Sequence, residues 1–192
     1  MSTRTMVTLL DRERGKAAAP GALAPFDPGS RDEWAWRQPA ALRAAWRLEA
    51  GGAPVLALTV HGLFRSRAEL RSASNAWTLR VRFPGGVRVQ AEGAAGPALV
   101  YRPGWFEGGR IEREGRDPLL WRRESFWHHR WGVLTGEKLP LFHLQRRLMP
   151  LRLRREAGIE LEDAARRLED LPELLGLAWL LALRAKQGHG AH

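Results

Sequence analysis

The chain has 192 residues, enough for one core and short for two, and its 44% hydrophobic and 27% charged residues are ordinary for a folded domain. It contains no cysteine, which excludes disulfides, thiolate metal sites and thiol nucleophiles together. The formal net charge of +10 favours polyanionic partners such as nucleic acid or an acidic membrane surface, yet only three of the 31 basic residues are lysines, a preference for arginine that also fits a compositional bias.

In chain order, Met1 to Leu10 is a short mixed stretch followed by Asp11, Arg12, Glu13 and Arg14, where the apolar run of a signal peptide would continue, so a cytoplasmic location is expected. Thr5 to Leu10 can form a strand that docks on the main body. Residues 15–33 are rich in Gly, Ala and Pro and have no sustained period, which reads as a loop. The expected organisation is therefore an N-terminal segment over 1–33, one domain over 34–187 and a disordered tail over 188–192.

From about Ala44 short alternating runs recur at roughly ten-residue spacing, the pattern of a sandwich or barrel. Trp77, Leu79, Val81 and Phe83 alternate with Thr78, Arg80 and Arg82; after Pro84, Gly85 and Gly86 the alternation resumes with Val87, Val89 and Ala91, which predicts a hairpin. Weaker runs are Trp46 with Leu48, Val55 to Thr59, Leu99 with Tyr101, Leu119 with Trp121, Phe126 to Leu134, and Leu139 to Leu144. Ile159 and Leu161 fit a short strand, while Leu161, Ala164, Ala165 and Leu168 fit a helix. Residues 146–156 are strongly basic and 159–173 strongly acidic, two blocks able to neutralise each other.

Leu174 to Leu183 reads LLGLAWLLAL, without a single polar side chain. A helix apolar on every side must be buried, and ten residues at about 1.5 Å each fall far short of the roughly 30 Å of a bilayer core. The segment therefore predicts a buried core helix over about 171–186, with Leu174, Leu175, Leu177, Trp179, Leu180, Leu181 and Leu183 facing its surroundings. Asp170, Pro172 and Glu173 mark its start, and Arg184, Lys186 and Gly188 its end. Sheet enough for on the order of twelve strands precedes it, and a barrel of that size can hold a helix.

The strand NAWTLRVRF (75–83), the stretch GRDPLLWRRESFWHHRWGVLTGEKLPLF (115–142) and the final DLPELLGLAWLLALRAK (170–186) together resemble the tubby C-terminal-like superfamily, which includes tubby domains, phospholipid scramblases and LURP-one-related proteins. The resemblance covers roughly 40–187 and implies a mostly β fold: a closed antiparallel barrel of about twelve strands around the hydrophobic C-terminal helix. It also implies a module of the kind that binds phosphoinositides through basic residues on the barrel exterior. No basic residue of this chain aligns with the tubby site, and the cysteine-rich, calcium-linked and anchoring features of scramblases are missing.

Candidate sites follow from charge. Arg80, Arg82, Arg122, Arg123, Arg130, Arg146, Arg147, Arg152, Arg154 and Arg155 are the expected anion-binding residues, with Arg65, Arg67 and Arg71 forming a further basic cluster; arginines that alternate with buried residues can hold phosphates bidentately. Trp105, Trp121, Trp127 and Trp131 lie near them in sequence and suit a barrel core first, with base stacking or an interfacial anchor as alternatives. His128 and His129 point to opposite faces if on a strand, so no metal site is expected from them with His61 and His143, and no cofactor is expected. Glu160, Glu162 and Asp163 suit a solvated face better than an acid pair, and the chain lacks a nucleophile elbow, a P-loop and a dinucleotide fingerprint. The expected function is a non-enzymatic module for anionic lipid head groups or other phosphate-bearing partners. The alternatives are a nucleic-acid-binding protein and a small hydrolase-like enzyme.

Overall fold

Where apolar and polar residues alternate, a strand buries one face and wets the other, and most of this chain is written that way. The computed structural model describes residues 22–30, 33–39, 44–61, 66–82, 85–104, 108–125, 129–149 and 154–185, with the backbone alone for 147–149 and 154–155. The described strands are β1 (Trp34–Arg37), β2 (Ala45–Ala50), β3 (Ala53–His61), β4 (Arg67–Arg71), β5 (Ala76–Arg82), β6 (Gly86–Ala91), β7 (Leu99–Pro103), β8 (Gly109–Arg113), β9 (Arg116–Ser125), β10 (Arg130–Leu134), β11 (Pro140–Met149) and β12 (Arg154–Leu161). Each pairs antiparallel with its sequence neighbours, and β1 closes the ring on β12, with Trp34 opposite Ile159 and Arg37 opposite Glu156. The fold is thus mostly β, a closed twelve-strand antiparallel barrel with a C-terminal helix.

The expected hairpin is β5–β6, with Trp77 opposite Ala91, Leu79 opposite Val89 and Val81 opposite Val87. The weaker runs fall on β2, β3, β7, β9, β10 and β11. Three strands escape the sequence reading. Trp34, Ala35 and Trp36 of β1 are consecutively buried and show no alternation, while β4 and β8 are five residues each, with only Ile111 strongly apolar in β8. Segment 154–168 satisfies both readings of its pattern, since β12 runs to Leu161 and one helical turn, α1 (Asp163–Arg166), follows. Of the basic and acidic blocks around it, β12 sets the backbone of Arg154 and Arg155 at one end and Glu160 at the other, while the side chains of Arg147, Arg152, Arg154 and Arg155 lie outside the described residues. A bulge bends the β2–β3 pair between Leu48 and Glu49, where Pro54 has no N–H to donate to the ladder. The proposed strand at Thr5 to Leu10 and the tail beyond Ala185 lie outside the described residues.

The helix α2 (Leu171–Ala185) is the core. Leu174, Leu175, Leu177, Trp179, Leu180, Leu181 and Leu183 are all buried, as the absence of any polar side chain demands. Each leucine so buried contributes roughly 1.5–3 kcal/mol relative to exposure. Trp179 anchors the barrel wall: Trp36 stacks on it at 6.0 Å and Trp46 meets it edge-on at 6.2 Å. Gly176 lets the helix approach β4, because a Cβ there would stand 2.5 Å from Leu70 Cδ2. Among the described residues, no helix is long and apolar enough to cross a membrane.

Candidate anion-binding surface

Antiparallel neighbours alternate in direction, so every second connection lies at the same end of the barrel. The helix starts at the end holding the β8–β9 turn, where Arg113 grips Asp170, and finishes at the other, where Arg146 donates to the Ala182 carbonyl. Taking the half of each strand nearest the helix finish, Arg37, Arg47, Arg67, Arg80, Arg82 and Arg88 lie there on β1 to β6. Arg102, Arg110, Arg122, Arg123 and Arg130 follow on β7 to β10, and Arg146, Arg147, Arg154 and Arg155 on β11 and β12. Against these fifteen arginines the same strand halves hold two acids, Glu124 and Glu156, with a third, Glu69, at the middle of β4 beside Arg67.

The opposite end inverts the balance. Its strand halves hold Arg71, Arg113 and Arg116 with Glu49, Glu112, Asp117 and Glu160. Its turns and helix starts add Glu33, Glu92, Glu114, Glu137, Glu162, Asp163, Glu169, Asp170 and Glu173 against Lys138, Arg166 and Arg167. A helix of fifteen residues spans about 22 Å between the ends, well beyond the roughly 8 Å over which salt screens charge at physiological strength. Three ion pairs, Arg37 with Glu49, Arg102 with Glu112 and Arg130 with Glu160, cross the middle of the barrel, so the two ends differ in the charge left over once these pairs are made.

Some of these arginines are already engaged. Arg37 pairs with Glu49 at 3.3 Å, Arg67 with Glu69 at 3.2 Å and Arg102 with Glu112 at 2.7 Å. Arg130 bridges Glu124 at 3.1 Å and Glu160 at 3.0 Å, and Arg123 lies 5.8 Å from the Trp131 ring centroid. Arg146 is turned inward to the helix and is 9% exposed, so it caps the barrel instead of facing solvent. Arg80, Arg82, Arg88, Arg110 and Arg122 are exposed, and none pairs with a described acid. Arg147, Arg154 and Arg155 are placed by their backbone alone; Arg65 and Arg152 lie outside the described residues, as do Trp105, Trp127 and His128.

The unpaired group is densest on β5 and β6. Arg80 stands directly opposite Arg88, with Arg67 on its other side, a row of like charges that costs stability across a sheet. A cleft of about 160 Å³ opens there, lined by Thr78, Arg80, Arg82, Arg88, Gln90, Ala95 and Pro97. The Gln90 amide donates to the Ala94 carbonyl at 2.7 Å, which ties the floor of the cleft to the β6–β7 turn that forms its side. Three guanidinium groups around so small a volume can engage a phosphate bidentately from more than one direction. Sequence reading names Arg80 and Arg82 but misses Arg88 and Arg110.

At the other end the charges are locked together. Arg113 and Asp170 form two bonds of 2.7 Å with side chains 7% and 13% exposed, and Arg116 adds contacts to Asp170 and Glu169. Asp170 thus starts the helix with its carboxylate committed to β8. Burial pushes the neighbouring Glu173 carboxyl above its ordinary range, an effect that a hydrogen bond from Trp77 offsets only in part.

The remaining candidates stay apart. His143 Nδ1 lies 2.8 Å from Glu124 Oε2 across Gly132, where a Cβ would stand 2.6 Å from the Glu124 carboxylate. His61 is near Glu69, and among the described residues no cluster of three possible ligands is placed to hold a metal ion. Glu160, Glu162 and Asp163 are exposed, with Glu160 on Arg130 and Asp163 near Arg166. Trp121 and Trp131 are buried and stacked at 6.4 Å, hence core. Comparison of the chain with protein-family models, with curated proteins and with solved structures finds no match.

Proposed function

We propose that the protein is a non-enzymatic binding module whose arginine-rich end engages phosphate-bearing partners, anionic phospholipid head groups foremost. The observation that carries this reading is the segregation of charge along the barrel axis, fifteen arginines against two acids in one set of strand halves. Arginine is weakly hydrated and carries a planar fork of donors, which suits it to phosphate oxygens at such a surface. The cleft of Arg80, Arg82 and Arg88 supplies a place for one head group. The resemblance to tubby C-terminal-like proteins supports the same reading, since tubby domains take phosphoinositides on the outside of a barrel of this architecture.

Co-sedimentation with vesicles tests the proposal. The protein should pellet with vesicles containing phosphatidylserine or phosphoinositide at low salt, should stay in solution with phosphatidylcholine alone, and should be released as salt rises. Equal and negligible binding to neutral and acidic vesicles would overturn it. The alternative reading, nucleic-acid binding, predicts instead a salt-dependent shift of an oligonucleotide stronger than any vesicle binding.

A further inference from the structure

We infer that the barrel docks end-on, with its axis and central helix upright on a planar anionic bilayer and the helix finish toward the lipid. This rests on the anionic-lipid reading and goes beyond it by assigning an orientation and by choosing a plane over a rod-shaped polyanion.

The arginines form a ring and not a stripe: the strand halves near the helix finish carry at least one arginine on every strand except β3, which carries His61 at that end. In a closed ring of twelve strands, β2 and β8 are six positions apart, so Arg47 and Arg110 stand on opposite sides of the barrel. Strands about 4.8 Å apart and tilted by about 40° give such a ring a backbone diameter of about 24 Å. That is several times the screening length of about 8 Å, so a partner lying along one side cannot feel the arginines on the other. Only a surface perpendicular to the axis meets Arg47, Arg80, Arg88, Arg110 and Arg122 together. A nucleic-acid duplex laid along the wall would leave half the ring unused.

The far end reinforces the choice. Its excess of acids, including Glu162, Asp163 and Glu169 around the helix start, is repelled by the same lipid, so the field exerts a torque that turns the helix finish downward. The helix runs from one end to the other, so its axis serves as a marker of the pose.

Neutralising substitutions around the circumference test this with the full-length chain and vesicles of phosphatidylcholine with and without phosphatidylserine. R47Q on β2 and R110Q on β8 should each weaken partitioning by about fivefold, at about one such factor per arginine near the surface, and R80Q/R88Q by about 25-fold. An unchanged melting temperature for each variant shows that folding is intact. Loss at R47Q and R110Q alike supports the upright pose. Loss at one of the two with none at the other overturns it and leaves lipid binding standing. Absence of any preference of the unaltered protein for phosphatidylserine overturns both. Tighter binding to a duplex than to the vesicles, lost by variants of one side alone, overturns the plane in favour of a rod.

Discussion

The two ends of the barrel use the same side chain for opposite purposes. At the helix start, Arg113 is buried and held by both oxygens of Asp170, and Arg116 closes the cluster with Glu169. At the helix finish, Arg80, Arg82, Arg88, Arg110 and Arg122 stand in solvent without a described acid, and Arg80 faces Arg88 directly. A locked arginine joins elements far apart in sequence and fixes the helix in the barrel. An unlocked one strains the sheet and is available to a partner. The contrast teaches that counting arginines is less informative than asking which of them the fold has already used.

The largest way to break that contrast is Arg113→Ala, which removes both short bonds to the largely buried Asp170 carboxylate and leaves it the longer contact to Arg116 alone. A loss of about 3–5 kcal/mol is expected in urea unfolding, with vesicle binding by the surviving folded fraction unchanged. Gly176→Ala is next: helix propensity gains, but the new methyl meets Leu70 at the β4 wall, and overpacking should cost about 1–3 kcal/mol net of that gain.

Glu173→Gln sharpens the comparison from the acidic side. Burial raises the folded-state pKa of this carboxyl above its unfolded value, so ionisation opposes folding. Its effect favours the folded state most below the unfolded carboxylate pKa, about 4.3, and that advantage is lost as pH rises through the raised folded value. The variant should melt higher than the parent at neutral pH, with the difference shrinking toward acid pH in a thermal scan. Smallest in stability is Arg80→Ala, expected within about 0.5 kcal/mol of the parent or slightly more stable, because a like-charge pair with Arg88 disappears. Its vesicle affinity should nevertheless fall. A strong destabilisation by Arg80→Ala would mean that the two ends do not differ as described.

Much of the fold is legible because it depends on patterns that repeat. The alternation of Trp77, Leu79 and Val81 and the unbroken apolar run from Leu174 dictate a half-buried strand and a buried helix without reference to the rest of the chain. The strands that escape, β1, β4 and β8, are short and borrow their definition from neighbours, as when Ile111 alone turns inward from β8. The basic end is harder because its arginines come from eleven strands and gather only when the direction of each strand is known. A signal does exist in the sequence: arginines flank every second turn, as Arg82 and Arg88 or Arg102 and Arg110 do, whereas acids such as Glu92, Glu114 and Glu137 occupy the turns between. The partnership of Arg113 with Asp170 has no such signature, since neither residue's neighbours announce a contact made across the closed fold.

Closure of the ring between Trp34 and Ile159 sets the order in which this chain can mature. The seam joins the first described strand residue to one of the last, and the helix that fills the interior follows it in the chain, so neither is available until all twelve strands have been made. Until then a growing sheet exposes an apolar inner face and two unpaired edges, the conditions under which β chains aggregate. Folding is consequently a late and non-local event, slow by topology, and a chain cut before Leu171 leaves the ribosome with a wall but nothing to close around.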